Sequence, residues 1–207
     1  MNIESRVTSS STLVPPWEAG HFVGGHVVLD LANTVFQRTA PIADNELLKS
    51  VRDVTSWCQS AGLISAADAR KLNGRAGDEL VDAVLRVRDQ VWAAFDAISV
   101  GAAPPAKAIG ALMKQAARGM SAEVISFADA RMAKLAGRFG DPDAVPSALA
   151  LLAVQALVTL PSDRVRSCAR CGWLFVDGSK GGRRRWCSMS TCGNREKANR
   201  RRHGEHA

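Results

Sequence analysis

Four cysteines fall in the last forty residues, Cys168, Cys171, Cys187 and Cys192, as a C-x2-C pair and a C-x4-C pair with fifteen residues between them. Each pair can close a short chelate loop, and the two together can complete a tetrahedron around one Zn²⁺; structural zinc ligands are typically paired two to four residues apart. One structural zinc ion is therefore the expected cofactor. Four thiolates leave no open position for water or substrate, which argues against a catalytic zinc. A redox C-x-x-C needs no second pair. The N-terminal stretch MNIESRVTSSSTLVPPWEAG has no basic region followed by an apolar core, so a cytoplasmic location is expected. In that reducing compartment, paired cysteines bind metal more often than they form disulfides. The fifth cysteine, Cys58, lies beside Trp57 on the apolar side of an expected helix and reads as a buried small hydrophobe.

Charge gathers around the same motif. The chain carries +7, yet residues 164–207 hold 12 Lys/Arg against 3 Asp/Glu, leaving residues 1–163 slightly acidic with 15 against 17. Zinc on four thiolates adds −2, and the segment stays strongly basic. This asymmetry is the electrostatic footprint of a polyanion binder. Arg183, Arg184 and Arg185 precede the second cysteine pair; Arg195, Lys197, Arg200, Arg201 and Arg202 lie on an expected final helix. At 100° per residue the second group spreads around the helix, which could lie in a groove and meet phosphates on both sides. Arginine suits bidentate contact with phosphate or guanine. Double-stranded DNA is the expected partner and structured RNA the alternative, because phosphate contacts alone do not separate them. A single finger covers few base pairs, so a homodimer is expected for specific binding.

The elements that must hold these residues divide at Leu160-Pro161-Ser162-Asp163, where Pro161 ends a helix and the charge changes sign. The expected division is a flexible arm over 1–20, a mainly helical domain over 21–161 and a zinc module over 162–207. In the helical domain, His26–Leu31 could be a strand or a buried helix start. Leu47, Leu48, Val51, Val54 and Trp57 recur at helical spacing, with Asp44 or Asn45 as cap and Gly62 as stop. Ser65 with Asp68 opens a short helix ending at Gly74. Leu80 through Ile98 form a long amphipathic helix, and Pro104-Pro105 begins another. Glu123–Leu135 fits either a helix or a hairpin. Pro146 opens an alanine- and leucine-rich helix that ends at Leu160, apolar all round and so central. In the module, Trp173–Val176 reads as a strand, Asp177-Gly178 as a turn and Arg183–Trp186 as the returning strand, followed by a helix from about Gly193 to His203. The predicted class is mainly α, with a small treble-clef-like zinc module of hairpin and C-terminal helix.

The helical domain offers little reactive chemistry. Asp30 and Asn33 are polar residues among apolar neighbours. They could bind a small effector, or form an internal network or helix cap. His21 and His26 lack a carboxylate cluster and read as ordinary loop residues. There is no glycine-rich phosphate loop and no nucleophile–base pair, so an enzyme is not expected; an enzyme body with a structural zinc appendage is the remaining reading. No apolar run reaches the roughly 18 residues of a membrane helix.

The segment LFVDGSKG followed by RRRWCSMSTCGNREKANRRR, with Cys192-Gly193-Asn194-Arg195 inside it, resembles the CGNR zinc-finger family over about forty residues. The preceding domain is similar to the ABATE domain, through Gly25-His26-Val27-Val28-Leu29-Asp30-Leu31-Ala32-Asn33-Thr34 and the stretch around Trp57 and Ala61-Gly62-Leu63. The resemblance implies a bacterial transcriptional regulator linked to stress responses, with zinc on the four cysteines and the finger on DNA. It does not say which residues touch bases. Asn194 fits a helix cap or a base contact, and Arg195 a phosphate contact or an internal pair with Asp177.

Overall fold

The computed structural model describes residues 17–121, 126–129, 132–134 and 141–204. Most of the expected N-terminal arm lies outside them. The apolar run after Gly25 is a helix, α1 (Val27–Ala32), which starts where His26 Nδ1 accepts the Val28 N–H at 3.3 Å. Every α1 residue after Val27 is buried. The helix α2 (Val51–Ser60) begins later than its periodicity suggests. Its cap is Ser50, whose Oγ accepts the Asp53 N–H at 3.2 Å and whose hydroxyl donates to the Asp53 carboxylate at 2.9 Å. Asp44 and Asn45 do not cap it. The chain there is held extended by a bridge between Glu46 and Val35, so Leu48 is buried, and Leu47 half-buried, from outside the helix. Gly62, with φ +73°, ends it.

Ser65 caps α3 (Ala66–Arg75) as expected, accepting from the Asp68 N–H. The long helix α4 (Asp78–Ser99) buries Leu80, Val84, Val87, Val91 and Phe95 along one stripe, then stops at Gly101, with φ +76°. Pro104-Pro105 leads into α5 (Ala106–Ser121). The ambiguous stretch forms a hairpin in its described part, β1 (Ser126–Asp129) against β2 (Met132–Lys134); the rest of 123–135 lies outside the described residues. The helix α6 (Ala144–Thr159) takes in Pro146 near its start and packs against α1, α4 and α5, the central place its uniform apolarity foretells.

The zinc-motif strands differ from expectation. Strand β4 (Leu174–Val176) pairs antiparallel with β3 (Val165–Ser167), with Arg166 opposite Phe175. Arg183–Trp186 is not its partner. The physical reason is Asp177, whose carboxylate accepts the N–H groups of Ser179 at 2.9 Å and Arg184 at 2.7 Å and curls the intervening chain into a loop. The helix α7 (Asn194–Gly204) follows a π-helical turn over Met189–Gly193. Alternation along β4 joins two cores: Leu174 is buried among the helices with Val165, while Phe175 is buried against the cysteines.

Candidate metal centre and basic surface

The strands β3 and β4 run directly into and out of the first cysteine pair. Between them the Gly172 N–H donates to the Cys168 carbonyl at 2.9 Å and the Cys168 N–H to the Trp173 carbonyl at 2.8 Å. This knuckle turns at Gly172, with φ +74°. There an added Cβ would stand 2.7 Å from the Arg38 Cβ, so only glycine fits. The second pair sits on the turn before α7. The Sγ atoms of Cys171, Cys187 and Cys192 are 3.6–3.7 Å apart, and all four sulfurs lie within 4.8 Å of one another, buried. A tetrahedral Zn²⁺ with Zn–S bonds of about 2.3 Å requires sulfurs about 3.8 Å apart. The spacing therefore fits zinc and is far too long for a disulfide.

Proton sharing tells the same story. The Cys171 thiol holds Cys168 well below the ordinary thiol range, while Cys171 itself is pushed up to about 12 and Cys187 is also pushed up, each chiefly by its hydrogen bond with Cys168. A dication among the four sulfurs stabilises them as thiolates.

Around this centre the side chains assigned to DNA divide by what they touch. Arg183, Arg195, Lys197, Arg200, Arg201 and Arg202 are exposed and have no ion pair among the described residues. Arg184 is exposed too, but its guanidinium donates to the Cys187 carbonyl at 2.7 Å and lies 4.8 Å over the Phe175 ring. Arg185 lies 5.2 Å over Trp186. Arg195 does not pair with Asp177, whose carboxylate is held at about 2 by the Ser179 and Arg184 contacts. Asn194 donates to the Ser190 carbonyl at 3.4 Å, stitching α7 to its preceding turn. Arg170, in the knuckle, pairs with Glu196 on α7 at 3.2 Å and ties the helix to the first cysteine pair.

The two residues offered for an effector are occupied internally. The Asn33 amide donates to the Leu174 carbonyl and accepts the Leu174 N–H, both at 2.8 Å, as a strand neighbour would. The Asp30 carboxylate accepts the Gly24 N–H at 2.7 Å, and the Gly24 carbonyl in turn accepts the Val176 N–H at 2.8 Å. Both residues hold β4 against the helices, so Asp30 and Asn33 form the internal network that was the alternative to an effector site. Burial pushes the Asp30 carboxyl up to about 6, against the opposing Gly24 N–H.

Further bonds across this seam were not foreseen. The Arg38 N–H donates to the Cys171 carbonyl at 2.6 Å, Thr39 Oγ1 to the Arg170 carbonyl at 2.9 Å, and Trp173 Nε1 to the Val35 carbonyl at 2.8 Å. Arg38 also donates to the Ala32 carbonyl and stacks 5.0 Å over Trp92. Only Gly24-Gly25, placed just before the apolar run, gave a local signal of an unusual backbone.

Cys58 is fully buried among the helices, its thiol pushed up to about 12 by burial, as a packing residue. His21 accepts the Glu18 N–H, and His26 caps α1, so neither histidine joins a metal cluster among the described residues.

Two family models match the chain. One, ABATE, described as "Putative stress-induced transcription regulator", covers residues 25–163; the other, the CGNR zinc finger, covers residues 164–204. No curated protein matches. With the buried four-sulfur cluster, these matches give the molecule a single structural zinc. Among the described residues no helix is long and apolar enough to cross a membrane.

Proposed function

This chain belongs to the ABATE family and carries a CGNR zinc finger, and from that premise we propose that it is a zinc-dependent regulator of transcription that binds double-stranded DNA. Cys168, Cys171, Cys187 and Cys192 hold the zinc. The ion supplies the cross-link that a module of this size lacks in buried apolar area. Arg183, Arg185, Arg195, Lys197, Arg200, Arg201 and Arg202 contact the nucleic acid, and the helical domain dimerises or answers an effector in the cytoplasm. The observation that carries the reading is the set of exposed arginines, without an ion pair among the described residues, on both sides of one buried four-cysteine cluster.

The first test incubates the zinc-loaded protein with sheared genomic DNA at near-physiological salt and sequences what is retained. A recurring site is the expected result, and spaced half-sites would add the dimer. Uniform, salt-sensitive retention that structured RNA competes away at matched salt would replace DNA by RNA. Normal retention by a metal-free Cys187→Ser protein would defeat the zinc-dependent reading.

A further inference from the structure

A concave site lies in the helical domain, between its last three long helices. The C-terminal turns of α4 and α6 and the start of α5 enclose a cleft of about 670 Å³, within the range of small-molecule sites. Its walls are apolar, with Ile98, Ile109, Met113, Val154 and Leu157. Among the described residues its polar contributors are Ser162 and Asp163, and no cationic side chain lines it. The exposed Met113 and Val158 show that the domain leaves apolar surface open here.

The polar end of the cleft is rich in acceptors. Two helix C-termini converge on it, and each carries partial negative charge. The end of α4 is closed on itself, with Gly101 and Ala102 N–H groups donating to the Ile98 and Ala97 carbonyls. The end of α6 is less complete. The Leu160 N–H reaches the Ala156 carbonyl, and the next residue, Pro161, has no N–H for the Leu157 carbonyl. The Asp163 carboxylate is 79% exposed and only 3.6 Å from Arg164 Nε, a loose pairing that a better-placed cation can displace.

We propose that this cleft binds a small organic cation with an apolar body, the body between α5 and α6 and the ammonium at Asp163. The site reports to the basic surface through the next residue. Arg164 donates to the Ser179 carbonyl at 3.1 Å, and its guanidinium fills the space beside Gly182, where a Cβ would come within 2.9 Å. Gly182 immediately precedes Arg183. A ligand that draws Asp163 away from Arg164 therefore acts on the loop that carries Arg183–Arg185. This coupling rests on the DNA-binding reading; ligand binding itself does not.

The probe is 1-naphthylmethylammonium, titrated by fluorescence into the full-length zinc-loaded protein beside its uncharged counterpart 1-naphthalenemethanol. Saturable one-site binding is expected, with the cation favoured. Asp163→Asn should weaken the cation by about three-fold, the scale of an exposed ion pair, and leave the alcohol unchanged. Val154→Trp should abolish both by filling the cleft, with zinc content and the helical melt checked to show that it folds. Binding of both probes with equal affinity and indifference to Asp163→Asn would reduce the cleft to a nonspecific apolar patch; no binding at millimolar probe would remove the site. In a second arm, saturating cation should change DNA retention by the wild type but not by Arg164→Gln, which still binds the probe and binds it more tightly, because no guanidinium competes for Asp163. Unchanged wild-type retention with intact probe binding would overturn the coupling and keep the ligand site.

Discussion

At the scale of single residues, Asn33 and Asp30 show how two polar side chains can serve a joint. Asn33 satisfies both the donor and the acceptor of Leu174, all buried. Asn33→Ala leaves both groups without a partner and should cost about 3 kcal/mol in urea unfolding of the zinc-bound protein, since each buried orphan costs about 1–3 kcal/mol. A loss below about 0.5 kcal/mol would mean that water replaces the amide. Asp30 gives a pH signature. Its folded pKa, about 6, exceeds the ordinary 3.8, so the folded state holds this proton more tightly than the unfolded chain. The stability this confers is complete below about pH 4 and is lost as pH rises through about 6. Asp30→Asn keeps an oxygen for the Gly24 N–H but has no charge to bury. Its stability should match wild type near pH 4 and exceed it at pH 7.5, and a difference constant across that range would refute the assignment. Comparing the two proteins at each pH cancels the protonation of the zinc thiolates. The thiolates themselves were legible because spacing and residue type carry the chemistry locally. The roles of Asp30 and Asn33 were not: Leu174 is 141 residues from Asn33, and Asp30 reaches β4 only through Gly24, whose carbonyl accepts the Val176 N–H.

At the scale of elements, the final helix and its loop separate charge from scaffold. The helix α7 is tied to the knuckle through Arg170 and Glu196, which leaves Arg200, Arg201 and Arg202 exposed. Replacing these three by glutamine should lower the log–log salt slope of DNA binding from about −5 to about −2.5, taking about six phosphate contacts in all and a slope near 0.9 for each. Zinc content should stay at one ion. Retention unaltered by the triple change would move the footprint to Arg183 and Arg185. Arg184 is a poorer probe, because its removal also frees the Cys187 carbonyl and uncovers Phe175. Most helices could be read from period and caps: Ser65, Gly62 and Pro104-Pro105 all act where their chemistry places them. The misplaced strand has a clear cause. Val165–Ser167 is short and weakly patterned, whereas Arg183–Trp186 follows an evident turn, yet Asp177 closes that turn on its own backbone before a second strand can form.

At the scale of the molecule, the zinc segment and the helices share a core. Val165 and Leu174 are fully buried within the helical cluster, and β4 touches both α1 and α4. Removing zinc should therefore weaken the helices as well as the finger. Melting followed by the helical circular-dichroism signal should shift down when a chelator is added, and the Cys187→Ser protein should melt at the chelated value. A helical melt indifferent to zinc would show that the two parts are energetically separate. The charge asymmetry and the change of composition at Pro161 were visible in the sequence; the shared core was not, since alternation along three residues does not say which face meets which partner. The seam also has an implication for how such chains diversify. Asn33, Gly24 and Arg38 all grip the main chain of the zinc segment, at Leu174, Val176 and Cys171, while Trp173 returns a side-chain hydrogen bond and Val165 and Leu174 enter the shared core. A socket that recognises backbone is blind to most of the plug's residues. The loop and terminal helix are thus free to acquire new binding preferences, or to be exchanged wholesale between related proteins, provided that the knuckle glycine, its neighbouring tryptophan and the buried Val165 and Leu174 are kept.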